Sequence, residues 1–180
     1  MAIKVKTGSE STILSVGAYR PSRIVPNSEI VDLIDSSDEW IVQRTGIESR
    51  RFAGADESVV DMAIGAAEQA LSRAKLTITD IDTVVVATIT YPHQAPSAAT
   101  AIIQRMGNPT AAALDISAAC AGFCYGVAMA HDMVRAGSAK KVLVIGVEKI
   151  SDFTDPTDRA TAFIFADGAG AVVVSAADHV

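Results

Sequence analysis

This sequence of 180 residues has two cysteines, three histidines and one tryptophan, and only 5% of it is aromatic. Two cysteines four positions apart do not make a disulfide framework. On one helix the Cβ atoms of Cys120 and Cys124 would stand about 5–6 Å apart, too far for a bridge. With His93, His131 and His179 scattered along the chain, no Cys/His spacing matches a metal site. There is no cluster of Lys and Arg, and the formal net charge is −6, which argues against nucleic acid as a partner. No apolar run approaches a membrane span, and MAIKVKTGSESTILSVG places no long apolar stretch before a cleavage site. Repeats, linkers and low-complexity segments are also missing. These absences lead to the expectation of a soluble, cytoplasmic protein.

What is present is aliphatic. Hydrophobic residues make up 49% and charged residues 20%, and the length suits one globular domain. The apolar content is largely Ala, Val and Ile, suited to thin, closely packed α/β layers. Five runs have strand character: Thr12–Ala18, Thr83–Thr90, Ala111–Ile116, Lys141–Val147 and Gly170–Ser175. Most are continuous and β-branched without alternation, as strands covered on both faces should be. Helical patterns at Ser58–Ala74, Ser97–Met106 and Ala121–Ala136 separate them, the last two followed by Gly107 and Gly137. This order predicts a largely parallel sheet with helices on both faces. Pro21–Phe52 interrupts it with short helices and loops, like an insertion with its own task. The end, SAADHV, follows a strand with no closing helix and reads as cut.

Three places have residues that could do chemistry. In DISAACAGFCYG, Cys120 falls where a strand gives way to a helix. The unpaired amides of a helix N-terminus stabilise a thiolate and hold an anion beside it. A buried packing cysteine is the equal alternative. Cys124, one turn further in, reads as a packing residue. His131 lies eleven residues beyond Cys120, about 16 Å away by helical rise, too far to serve it as a base. His93, in a loop, and the nearly terminal His179 read as surface or packing residues.

In DSSDEWIVQRTGI, Ser36 and Glu39 have capping-box spacing, starting a short helix that Gly46 ends. Trp40 and Arg44 are then i and i+4 on one face. Either they make an ordinary intrahelical contact or they clamp a flat heteroaromatic ring such as adenine. In DPTDRATAFIFADGAGAVVV, Arg159 reads as an anion ligand or a solvated loop charge. The Gly-rich DGAGA leads into a strand, which disfavours a phosphate-binding loop.

Together, SVGAYRPSRIVPNSEI, IDSSDEWIVQRTGIESRRFA, AACAGFCYG and DPTDRATAFIFADGAGAVVV, in this order, resemble the N-terminal half of a β-ketoacyl-acyl-carrier-protein synthase III, of the thiolase superfamily. The resemblance covers nearly the whole chain. It implies an α/β, thiolase-like fold, with residues 1–180 as one half of a pseudo-symmetric αβαβα architecture. It also implies that Cys120 accepts an acyl group from acyl-CoA, its backbone N–H contributing to the oxyanion hole. Malonyl-acyl-carrier protein then decarboxylates, and the carbanion attacks the acyl-enzyme. Trp40 and Arg44 match residues that sandwich the adenine of CoA, Arg159 a basic residue across that site, and Ser36 a polar contact often filled by Thr. Ala95 matches a position reaching across the family's dimer interface towards the partner's acyl channel. An Ala there implies room for primers longer than acetyl. The family's His and Asn belong to a C-terminal half that this chain lacks. The implied partners are acyl-CoA, acyl carrier protein, a second copy in a homodimer and the missing half. Acyl-CoA is a substrate, so no cofactor and no metal is expected. An acyltransferase passing the acyl group to oxygen or nitrogen, or a non-catalytic acyl-CoA-binding fragment, are the alternatives.

Overall fold

The computed structural model describes residues 10–177. The last three residues of SAADHV, His179 among them, lie outside these. The centre is a five-stranded sheet of β1 (Ser11–Tyr19), β4 (Thr83–Ala87), β5 (Ala112–Ile116), β6 (Lys141–Glu148) and β7 (Gly168–Ala176), in the order β1-β7-β6-β4-β5. A separate hairpin pairs β2 (Arg23–Pro26) with β3 (Ser49–Phe52). The helices are α1 (Asp38–Thr45), α2 (Val59–Ala74), α3 (Ala98–Met106) and α4 (Gly122–Ala136).

The continuous apolar strands are covered on both sides, as expected. Successive side chains of a strand point to opposite faces. Val84, Val86, Leu143, Ile145 and Val173 therefore pack in the core under α2 and α3. Val85, Val142, Val144, Val172 and Val174 pack in the core under α4. At Gly17 on β1 an added Cβ would stand 2.1 Å from the Ala66 carbonyl oxygen, so strand and α2 touch backbone to backbone there.

The expected largely parallel sheet is corrected to a mixed one. β4 runs parallel to β5 and β6, but β7 is antiparallel to both β6 and β1. A parallel neighbour needs a crossover, usually a helix. Between β6 and β7 the chain has only a short 3-10 turn, Ile150–Asp152, and a loop, so β7 returns as an antiparallel neighbour.

Helix boundaries follow their caps. Ser58 and Asp61 form a capping box at α2, and Ser97 caps α3. At α1 the expectation fails by one residue. Ser37, not Ser36, is the cap, its hydroxyl accepting from the Trp40 N–H at 3.2 Å. Glu39 then sits one place too early for a capping box. Gly46 ends α1 at φ 71°, as expected. The hairpin went unseen because its strands, RIVP and SRRF, are four residues long and carry charged side chains. Its small core joins Val25, Ile30, Ile34 and Ile41 to Ala162 and Phe163 from the loop before β7. The strand expected over Thr83–Thr90 ends at Ala87.

Among the described residues, no helix is long and apolar enough to cross a membrane.

Candidate active site

β5 ends at Ile116, a 3-10 turn spans Ala119–Ala121, and α4 follows at once. Ala119 takes φ 44°, a left-handed conformation costing a non-glycine residue about 1–2 kcal/mol. The reversal leaves Cys120 exposed at the head of α4. Close packing of α4 brings that head to the sheet. Gly122, Gly126 and the fully buried Ala130 form its inner stripe. An added Cβ at Gly126 would meet Val144 Cγ1 at 2.9 Å, and one at Gly122 would meet Ala87 Cβ at 3.0 Å.

Cys120 consequently lines a cleft of about 240 Å³ at the ends of β4 and β6 and the start of β7. Ala87, Ala119, Gly146, Gly168 and Gly170 leave the space open, and Phe123 lines its apolar side. Cys124 is also exposed, which corrects its reading as a buried packing residue. It lies on the part of α4 turned from the sheet, beside Tyr125, which is 56% exposed. His93 and His131 behave as expected. His131 Nδ1 lies 2.6 Å from Ser11 Oγ, a structural contact between α4 and β1. His93 packs edge-on against Tyr91 at 5.5 Å. Neither lines the Cys120 cleft.

The second centre assembles distant parts of the chain. Arg44 Cζ lies 4.3 Å from the centroid of the Trp40 ring, and Arg159 Cζ lies 5.9 Å from it. Phe163 supports the indole edge-on, with centroids 5.3 Å apart and planes at 83°. A flat ring between two groups needs about 7 Å in all, two van der Waals separations. Arg44 therefore closes one approach to the indole, and the gap to Arg159 is the nearer fit. Arg159 also pairs with Asp35 at 3.6 Å, but both side chains are exposed, so solvent and salt screen the pair and it holds Arg159 only weakly.

Asx-type turns shape the Arg159 loop. Asp155 accepts from the Thr157 N–H at 2.8 Å and its hydroxyl at 2.7 Å. Asp158 accepts from the Ala160 N–H at 2.9 Å and from the Thr161 hydroxyl. Both carboxyls are held below their usual range, Asp155 chiefly by the Thr157 N–H and Asp158 chiefly by the Thr161 hydroxyl. Ser36, half-buried before α1, has a hydroxyl with no hydrogen-bond partner among the described residues. Ala95 is exposed in the loop before α3 and does not line the Cys120 cleft.

Several positioning groups escaped the sequence reading. Arg50 is 6% exposed and donates to Val25 O, Asn27 Oδ1 and Phe163 O at 3.2, 2.6 and 3.1 Å. Asn27 in turn donates to Asp38 Oδ1 at 2.7 Å and Ile47 O at 2.8 Å. This buried network locks α1 and the Phe163 segment onto the hairpin. Burial lowers the pKa of Arg50 from its usual value. Asp167, in DGAGA, accepts from the N–H groups of Ala53 at 2.7 Å and Ser151 at 2.9 Å and from the Ser151 hydroxyl at 2.6 Å. In sequence DGAGA raised only the question of a phosphate-binding loop, which the following strand disfavoured. Among the described residues, no group of three His, Cys, Asp or Glu side chains is placed to hold a metal ion.

Residues 114–180 match the family model of 3-oxoacyl-[acyl-carrier-protein] synthase III. Over 162 residues the chain is 56% identical to β-ketoacyl-[acyl-carrier-protein] synthase III 1 of Streptomyces coelicolor, covering 90% of this chain and 47% of that protein. Over 178 residues it is 52% identical to the protein of the same name from Streptomyces avermitilis, covering 98% and 50%. The chain belongs to the β-ketoacyl-[acyl-carrier-protein] synthase III family. It spans about half the length of the curated synthase III relatives it matches. The fold agrees. The priming β-ketosynthase of the R1128 polyketide pathway superposes with a TM-score of 0.94 at 43% identity, over 99% of this chain and 53% of that one. The synthase III of Aquifex aeolicus superposes with 0.90 at 41% identity, over 93% and 54%. The architecture is thus the thiolase-like α/β fold of synthase III enzymes.

Proposed function

We propose that this chain is the nucleophile-bearing half of a β-ketoacyl-acyl-carrier-protein synthase III. In this reading Cys120 attacks the thioester carbonyl of an acyl-CoA, the carbonyl oxygen takes up negative charge, and the CoA thiolate leaves with a proton. The acyl-enzyme splits one difficult condensation into two easier steps. Backbone donors at the head of α4, the Cys120 N–H among them, stabilise the oxyanion. Trp40, Arg44 and Arg159 hold the nucleotide of CoA, and Ser36 offers it a further polar contact. Decarboxylation of malonyl-acyl-carrier protein and attack of its carbanion complete the reaction, with the His and Asn that the resemblance assigns to a second half. Acyl-CoA is consumed as substrate, and the scheme calls for no cofactor. The working protein is a homodimer in the cytoplasm, and Ala95 of one copy faces the acyl channel of the other.

One observation carries the reading. Arg159 and Trp40, far apart in sequence, meet 5.9 Å apart, so that a shift of about 1 Å in the exposed Arg159 side chain admits a flat ring between them, and the same chain presents an open thiol at a strand–helix turn. The test uses the protein with both halves present, supplied with acetyl-CoA and malonyl-acyl-carrier protein. β-Ketoacyl product that disappears in Cys120→Ala supports the proposal. Transfer of the acyl group to an alcohol or amine acceptor, without CO2 release, would instead establish the acyltransferase alternative.

A further inference from the structure

Glu148 is the one ionisable side chain besides Cys120 among the described residues lining the 240 Å³ cleft. Both oxygens of its carboxylate accept hydrogen bonds. Oε1 and Oε2 accept from the Ile89 N–H at 3.0 and 3.2 Å. Oε2 also accepts from the Thr90 hydroxyl at 2.6 Å and the Thr88 hydroxyl at 3.3 Å. Thr90 Oγ1 in turn accepts from the Lys149 N–H at 2.9 Å. These bonds begin where the backbone ladder stops, since the β4–β6 pairing ends at Ala87 opposite Gly146. From Thr88 onwards a side chain replaces a strand. It fastens the end of one cleft-lining strand, at Ala87, to the end of the other, at Glu148. It also fixes the root of the loop Tyr91–Ser97, whose far end is held where Asp115 on β5 accepts from the Ala98 and Ala99 N–H groups at 2.7 and 2.8 Å. Ile89, whose amide is the clamped one, leaves 47% of its surface exposed.

We propose that Glu148 is a positioning residue for acyl transfer at Cys120: its carboxylate sets the wall of the cleft against which the acyl group lies, and so selects among acyl chains. This rests on the reading of Cys120 as the acyl acceptor. The residue acts through the wall and not on a reacting atom, since its carboxylate is tied by both oxygens to Thr88, Ile89 and Thr90. A loosened wall changes the fit of long and short acyl groups differently, whereas a general loss of structure lowers every donor together.

The experiment measures kcat/KM for acylation of Cys120 by acetyl-, hexanoyl- and dodecanoyl-CoA in the complete protein. The variants are Glu148→Ala, Glu148→Gln, which keeps volume and one acceptor oxygen, and Thr90→Val, which removes one donor to the carboxylate and the acceptor of the Lys149 N–H at nearly constant shape. Iodoacetamide alkylation of Cys120 reports the thiol without an acyl chain. We expect Glu148→Ala to change the hexanoyl-to-acetyl ratio by about tenfold, Thr90→Val in the same direction by roughly threefold, and Glu148→Gln by less than about threefold. Alkylation should stay within about twofold of the parent, since the thiol does not contact the clamp. Ratios unchanged in both Glu148→Ala and Thr90→Val overturn the proposal, as does alkylation falling in step with acylation. If Glu148→Ala does not fold, Thr90→Val alone decides. A parent protein that transfers no acyl group to Cys120 from any donor overturns the functional reading itself, a different result from normal acylation with an unmoved ratio.

Discussion

Replacing Trp40 by Ala removes the surface on which a nucleotide base would lie. The ring is half-buried, braced by Phe163 at 5.3 Å and covered on one approach by Arg44 at 4.3 Å. Loss of the aromatic pair costs about 0.5–1.5 kcal/mol of stability. The wider truncation, at a half-buried site, brings the total to roughly 2 kcal/mol, below the cost for a fully buried ring. The effect on binding is separable. A base stacked on the indole contributes about 1–3 kcal/mol, so its loss weakens acyl-CoA binding by about 5- to 150-fold. A donor without the nucleotide, such as the N-acetylcysteamine thioester of the same acyl group, never uses that surface. Acylation of Cys120 is therefore followed with both donors at a temperature well below the melting midpoint of the variant. The KM for acetyl-CoA should rise within that range while the truncated donor changes by less than about twofold. Equal losses with both donors would show Trp40 to be a packing residue and the clamp to be wrong. Phe163→Leu is the control, lowering stability by about 1 kcal/mol with a smaller change in acyl-CoA affinity.

Other outcomes follow from single contacts. Gly126→Val forces side-chain atoms into Val144, already 2.9 Å from a Cβ, and should cost about 1–3 kcal/mol by overpacking, read as a lower melting temperature and slower Cys120 acylation. The Asp61 pKa is lowered to about 2, first by the Ser58 hydroxyl, with the Ser58 N–H and Arg105 adding to it. Its contribution is present above the unfolded value of 3.8 and disappears as pH falls through about 2. The side chain is 35% exposed, so screening reduces that contribution to about 1 kcal/mol. Asp61→Asn should lose it at pH 7 and match the parent below the folded-state pKa, as urea melts at each pH would record. Ala95→Phe in the complete protein should depress kcat/KM for hexanoyl- and dodecanoyl-CoA far more than for acetyl-CoA, since four fitted methylenes contribute about 3 kcal/mol. An unchanged chain-length profile would place that selection elsewhere.

How much was legible depended on the kind of signal. The β-branched runs at Thr83, Lys141 and Gly170 announced strands buried on two faces, because only such strands dispense with alternation. Ser97, Gly107 and Gly137 announced helix ends, because caps are local chemistry. Direction was less visible. Nothing in KVLVIGV tells whether its neighbour GAVVVS runs with it or against it; the helix-free connection from Ile150 onwards decides that. Ser36 and Ser37 compete for one cap, and spacing to Glu39 favoured Ser36, but Ser37 holds the extended dihedrals a cap needs. Thr88–Thr90 has strand composition, yet the Glu148 carboxylate takes the place of a ladder there. Arg50 and Asn27 were invisible for a similar reason. Their partners are carbonyls and amides from the hairpin, α1 and the Phe163 segment, brought together only by the fold. Cys120 itself was ambiguous by spacing, and the exposed position at a strained turn separates it from an interior cysteine.

The central claim is that Cys120 carries the acyl group. Its most direct test is peptide mass spectrometry of the complete protein after brief exposure to acetyl-CoA, in the absence of malonyl-acyl-carrier protein. The account predicts one acetyl group on the peptide containing Cys120, absent in Cys120→Ala, with Cys124 unmodified. An acetyl group on Cys124 or another residue, or a folded protein that leaves Cys120 free at saturating acetyl-CoA, would contradict it.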